Sequence, residues 1–273
     1  MFSAVQVFPG VTHITDAMGV SFTLIEGDRK ALLFDTGYGL EDVCKFVQTL
    51  TDKPLKVYLS HGHHDHMLGA RWFSKTYLCK EDMKEFTERT GEFQRRKVMK
   101  QAMDKGVYVP EDFMTAAISL PARISFTERF SVFESLTEPL GGTDVKIIRI
   151  PGHTPGSIVI YIPAYCLLLT GDDWNPCTWM WFPSSLNARE WRNNMHELIR
   201  TLEDENNMPV RYVICSHQPM VHDGCELKAF LAYISDERLD SAPAVDMGAP
   251  INTHQISKDP ENWVFVYDYD KIR

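Results

Sequence analysis

Within the six residues His61-Gly62-His63-His64-Asp65-His66, four groups, His61, His63, Asp65 and His66, have the chemistry of metal ligands, and they follow the short apolar run Val57-Tyr58-Leu59. Neutral imidazoles and a carboxylate suit zinc and its first-row neighbours, and such an ion makes hydroxide from bound water near neutral pH. In an extended segment, residues two apart face the same side, so His61 and His63 can serve one cation while Asp65 and His66 turn toward a second. Such groups gathered at a strand end are costly to bury without a partner. The residues therefore call for one or two divalent metals, the alternative being a solvated histidine-rich loop.

Four further segments repeat one design, an apolar run ending abruptly in polar residues. Ala31-Leu32-Leu33-Phe34 leads to Asp35-Thr36-Gly37, and Ile147-Ile148-Arg149-Ile150 leads to Pro151-Gly152-His153. Leu167-Leu168-Leu169 leads to Thr170-Gly171-Asp172, and Tyr212-Val213-Ile214-Cys215 leads to Ser216-His217. Such runs read as buried strands. Polar residues at strand carboxyl ends gather along one sheet edge, where ligands of open α/β sheets bind. Taken alone, His153 and His217 read as turn residues and Asp172 as a cap. Their co-occurrence points to one site.

The set resembles the metallo-β-lactamase superfamily: an Asp after an early strand, His-x-His-x-Asp-His, a later His in Gly-His-Thr-Pro-Gly-Ser, a Gly-Asp, and a last His after a strand, in that order from residue 35 to residue 217. The resemblance implies an α/β chain folded as an αββα four-layer sandwich, a single domain over residues 1–273. By the same resemblance His61, His63 and His153 hold a first metal, Asp65, His66 and His217 a second, and Asp172 bridges them. Asp35 would orient the histidine loop as a hydrogen-bond acceptor, the support metal-bound imidazoles require. A hydroxide bridging the two cations would be the nucleophile, with Asp65 and Asp172 as catalytic carboxylates. All seven ligands are N or O donors, which favours zinc and also suits iron or manganese. His64 stands inside the motif as a substrate-facing or supporting group, or as a solvated one. His13, His196, His222 and His254 lie outside the pattern.

Composition bounds the remaining choices. A chain of 273 residues with 44% hydrophobic content can bury a large core without disulfides. Its six cysteines show no paired spacing and read as reduced thiols of a cytoplasmic protein. The start Met1-Phe2-Ser3-Ala4-Val5-Gln6 has no basic export region, and no stretch reaches the roughly 18 apolar residues of a membrane span. This sets the chain apart from secreted β-lactam hydrolases. A net charge of −9 argues against nucleic acid as a partner, and Arg95-Arg96-Lys97 reads as a solvated helix face.

Two helices show in the spacing of Leu40, Val43, Val47 and Leu50 and of Trp191, Met195, Leu198, Ile199 and Leu202, the second announced by Asn187 with Glu190 three residues on. A third is expected from Gly224 to about Arg238. Residues 81–117 form a mostly helical insertion after the histidine loop, with Phe86, Phe93, Val98, Met99 and Met103 as its apolar side, and serve either as plain packing or as a lid. Trp174, Trp179 and Trp181, just beyond Asp172, are expected to line a substrate pocket, to form a subunit interface or to pack in the core. The alternation Trp263-Val264-Phe265-Val266-Tyr267 reads as an edge strand that rejoins the body or pairs two copies into a homodimer.

Together these residues indicate a dinuclear metal hydrolase of a small-molecule ester, thioester or lactone, with a phosphoester as the further alternative. Two rivals keep the metals but not the reaction. One is a diiron redox protein of the same fold, whose branch usually has Glu where this chain has His63; the other is a metal-binding sensor without turnover.

Overall fold

Short apolar runs separated by tight turns build the first four strands, β1 (Ser3–Phe8), β2 (Val11–Thr15), β3 (Ser21–Glu26) and β4 (Ala31–Phe34), as an antiparallel meander. The computed structural model describes residues 1–126 and 135–272. A crossover through helix α1 (Val43–Gln48) then sets β5 (Leu55–Tyr58) parallel to β4. Helix α2 (His64–Met67) leads to β6 (Tyr77–Cys79), and α3 (Met83–Arg89) with α4 (Glu92–Asp104) leads to β7 (Ala122–Ile124), completing a seven-stranded sheet in sequence order. All of β4 is buried. Val43 and Val47 of α1 pack on Ile14, Phe22, Leu24, Leu33 and Val57. The helix ends at Thr49, whose N–H turns back to Phe46, so Leu50 lies beyond it and is 37% exposed.

Strands β8 (Leu136–Pro139), β9 (Asp144–Arg149), β10 (Ile158–Ile162) and β11 (Leu167–Leu169) follow, then β12 (Cys177–Met180), β13 (Tyr212–Ile214) and β14 (His222–Asp223). A six-stranded sheet runs β14-β13-β11-β10-β9-β8. Helices α5 (Ala188–Arg200), α6 (Gly224–Tyr233) and α7 (Asp236–Ser241) accompany it, and a small sheet β12-β16-β15 is completed by β15 (Thr253–Lys258) and β16 (Trp263–Asp268). The core here joins Ile148, Val159 and Leu168 of the strands to Trp191, Met195 and Leu198 of α5 and Phe230 of α6. Trp191 stacks on Phe265 of β16 with centroids 4.7 Å apart.

Two compact units result. The first comprises Met1–Ser125, Thr137–Val145 and the short segment Ser216–Pro219; the second holds chiefly Lys146–Cys215 and the residues from Met220 on. Each combines sheet and helix. Among the described residues no helix is long and apolar enough to cross a membrane, and all six cysteines are free thiols.

Capping explains where α5 starts. Asn187 accepts a bond from the Glu190 N–H at 2.9 Å, so Asn187→Ala should cost about 1 kcal/mol of stability, measured by chemical denaturation. The third helix departs from its expected length. It breaks after Tyr233, and Ser235 caps α7 as a separate turn of helix. Strand β16 also differs from the expected edge strand: it lies between β12 and β15, with both flanks hydrogen-bonded.

The 81–117 insertion packs through one face only. Phe86, Val98, Ala102 and Phe113 are buried with Leu59, Met67, Leu68 and Leu78. Phe93 and Met103, expected on the apolar side, are 72% and 66% exposed, because the buried stripe of α4 runs through Gln94, Arg95, Val98 and Ala102. Arg95 is drawn inward by backbone carbonyls, donating to Thr90, Phe113 and Ala116 at 2.8 Å.

Candidate metal centre

In the first unit the centre is organised by one buried carboxylate. Asp35 follows β4 with φ at +71°, a left-handed conformation that Asp tolerates better than most residues, and it has no solvent exposure. Its Oδ1 accepts the Ser60 N–H at 2.6 Å, and its Oδ2 accepts the Ser60 hydroxyl at 2.7 Å and His66 Nδ1–H at 2.9 Å.

This network sets the tautomers of two imidazoles. A carboxylate only accepts, so His66 must carry its proton on Nδ1 and keep a basic lone pair on Nε2. Because Ser60 gives its hydroxyl proton to Asp35, its oxygen accepts from His61 Nδ1 at 2.9 Å. His61 Nε2 is therefore also the basic nitrogen. Asp35 thus has the orienting role expected of it, acting directly on His66 and through Ser60 on His61.

The ligands of this unit lie close together. The ring centroids of His61 and His63 are 4.6 Å apart, and their candidate ligand atoms lie within 4.8 Å of each other. Asp65 Oδ2 is 3.7 Å from His66 Nε2 and 3.7 Å from His217 Nε2. His64 opens α2 beside them and meets the Tyr38 ring edge-on. Burial lowers its pKa to about 4 against the pull of Asp65, so its ring is neutral near pH 7.

The insertion reaches the same loop. Asp82, fully buried, accepts the Gly62 N–H at 2.9 Å, and Glu85 Oε1 lies 3.8 Å from His63 Nε2. A Cβ on Gly62 would stand 2.7 Å from Glu85 Cβ and 2.9 Å from the Phe86 nitrogen, so only glycine lets α3 approach this closely.

In the second unit His153 and Asp172 lie side by side. His153 Nδ1 donates to the Trp179 carbonyl at 2.8 Å, which again leaves Nε2 basic, and that atom is 3.6 Å from Asp172 Oδ2. Asp173 joins the two loops: its Oδ1 accepts the His153 N–H at 2.8 Å, and its carbonyl accepts Trp191 Nε1–H at 2.7 Å. Ser185 donates to the His153 carbonyl at 2.8 Å, and Asn194 to that of Pro151 at 2.6 Å. A Cβ on Gly152 would fall 2.2 Å from Asp173 Oδ1, which accounts for the glycine before His153.

The aromatic segment after Asp172 divides. Trp174, expected to line a pocket, has no exposure and packs edge-on against His222 and Phe230, because its main chain is pinned by the Thr170 hydroxyl at 2.8 Å. Trp179 is 39% exposed and Trp181 half-buried; Trp181 stacks on Phe182, which lies edge-on to His153. Lys271 holds the end of this segment through the carbonyls of Phe182, Pro183 and Ser185.

The donor set fits a divalent cation. His61, His66 and His153 are buried with their protons on Nδ1, and the carboxylates of Asp65 and Asp172 lie beside His66 and His153; neutral N and anionic O donors of this kind are the form that such ions bind. Ser60, Asp82, Glu85 and Asp173 have no part in the reading by motif. Only the doubled acid in Gly171-Asp172-Asp173 gives a sequence-level sign of any of them.

A family profile described as the metallo-beta-lactamase superfamily matches residues 15–173. No curated protein matches. Among solved structures, a stereoselective inverting sec-alkylsulfatase from Pseudomonas sp. is similar at a TM-score of 0.62 with 15% identity, covering 88% of this chain and 43% of its own. A metallo-beta-lactamase from Erythrobacter litoralis gives 0.58 with 17% identity, covering 85% of this chain and 95% of its own. A metallo-beta-lactamase from Pontibacter korlensis gives 0.55 with 17% identity, covering 85% and 98%. The chain spans less than half the length of the sulfatase it resembles. At these identities the likeness is one of fold, a mixed α/β fold of several sheets and helices.

Proposed function

The chain belongs to the metallo-β-lactamase superfamily, and from that premise we propose that it is a metal-dependent hydrolase that uses two divalent cations, zinc foremost, to hydrolyse a small-molecule ester, thioester or lactone. His61, His63 and His153 would hold one cation, Asp65, His66 and His217 the other, and Asp172 both. The observation that carries the reading is the buried carboxylate of Asp35, which fixes two imidazoles in the metal-binding tautomer. Bound there, such a pair lowers the pKa of water and polarises the bond to be cleaved.

The chain's own groups would do the rest. Asp65, whose Oδ2 lies beside His66 and His217, would take the proton released as water attacks, and Asp172 would be the second catalytic carboxylate. Trp179 and Trp181 would offer an apolar wall to the substrate. Trp179→Ala should then raise KM about three- to tenfold with metal content unchanged. Unchanged kinetics would assign that ring to packing alone. Six free thiols suit a reducing compartment, and we place the reaction in the cytoplasm.

The sulfatase likeness supports one second reading, a sulfate ester, since that structure has the higher TM-score of the three described. The test is metal analysis of the purified chain followed by a panel of aryl and alkyl esters, thioesters, lactones and secondary alkyl sulfates. Turnover of acyl substrates is expected. Turnover of the sulfates alone would replace the acyl reading, and inactivity on all of them with tight metabolite binding would mark a sensor.

A further inference from the structure

His217 is the most weakly packed of the ligand set, with its side chain 35% exposed, against 16% for Asp65 and none for His66. Its loop leaves β13, a strand of the second unit, yet Ser216–Pro219 belongs to the first. Two hydrogen bonds tie that segment to β2 and β3. On one side of His217 the Ser21 N–H donates to the Ser216 carbonyl at 2.7 Å, and on the other His13 Nε2–H donates to the Gln218 carbonyl at 3.0 Å. A carbonyl only accepts, so His13 carries its proton on Nε2 and takes the Thr23 hydroxyl on Nδ1 at 3.2 Å. Burial lowers the His13 pKa and keeps this ring neutral. The ring is 4% exposed and sits on β2, three strands from β5, which leads to the histidine motif.

We propose that His13 is a positioning residue for the metal-binding His217, clamping its loop to the first unit through the Gln218 carbonyl. The inference rests on the reading of His217 as a ligand of a two-cation centre. Backbone anchors count most where a ligand has little packing of its own, because disorder in one ligand is paid for in affinity at its cation. Main-chain groups next to a ligand act on it as outer partners act on bound imidazoles, where losing one typically costs 10–100-fold. At His13, one bond further out, about tenfold is expected at one of two sites.

Two substitutions separate clamping from simple burial. In His13→Gln the side-chain amide nitrogen reaches the place of Nε2 and can still donate to Gln218. In His13→Asn it reaches only the place of Nδ1, near Thr23. Each is titrated with zinc against a chromogenic chelator, and the cobalt-loaded forms are compared by their visible absorption. Wild type and His13→Gln should bind two ions with the same affinities and band shape, while His13→Asn should bind one ion normally and the other about tenfold more weakly, with an altered band. Equal behaviour of the two variants, whether both intact or both impaired, would overturn the clamp. A wild-type chain that binds fewer than two ions would instead overturn the two-cation reading itself.

Discussion

Asp65→Ala should lower turnover by roughly three orders of magnitude in a chain that still folds. The carboxylate oxygen lies 3.7 Å from both His66 Nε2 and His217 Nε2, so it would serve as ligand and as proton acceptor together. Its loss removes anionic charge from the point where the nucleophile forms. Folding should survive, because the loop is held by other bonds: Asp35 to Ser60 and His66, Asp82 to Gly62, and the His66 carbonyl to the Thr36 N–H and hydroxyl. Turnover is measured on the best substrate from the panel, with circular dichroism and thermal melting as controls. An active Asp65→Ala chain would exclude this carboxylate from the chemistry.

Substitution of Asp35 should act on the metal before it acts on substrate. In Asp35→Asn the amide can still accept from the Ser60 N–H, but its NH2 group would meet His66 Nδ1, which must then give up its proton and carry it on Nε2. The wrong tautomer faces the cation, and metal affinity should fall about 10–100-fold. Asp35→Ala should do more. It strands the Ser60 N–H and the His66 Nδ1–H in a site without solvent access, at about 1–3 kcal/mol each, and places Ala at a left-handed φ that Asp tolerates better. Chelator competition reads the first effect and denaturation of the metal-free protein reads the second. Native affinity in Asp35→Asn would show that the carboxylate does not set the tautomers.

Much of this was legible in the residues alone, for identifiable reasons. Candidate site residues near strand ends announce themselves because apolar runs stop just before them, as at Phe34-Asp35 and at Leu169-Thr170-Gly171-Asp172, and caps announce themselves because their partners are three residues away, as with Asn187 and Glu190. What stayed hidden depends on partners distant in the chain. His13 meets Gln218 across 205 positions, and Asp82 meets Gly62 across 20. No local period encodes such a pairing. The placement of Trp174 inside and Phe93 outside was hidden for a related reason. A large apolar side chain favours burial in either case, and the backbone bonds of Thr170 and the inward pull on Arg95 decide which one is turned to the core.

The role of Asp82 and Glu85 also bears on the insertion. Its first helix abuts the histidine loop through Gly62 and faces His63, so the segment supports the ligands from beside the loop. That support would couple the stability of α3 to metal binding, a link that sequence spacing does not display.

The central claim is that these imidazoles and carboxylates hold two cations, and metal content per chain tests it most directly. Elemental analysis of the purified protein, alone and with His61→Ala or His217→Ala, should give two divalent ions for the wild type and a loss of about one ion in each variant. A wild-type chain without metal, or variants that keep both ions, would contradict the account.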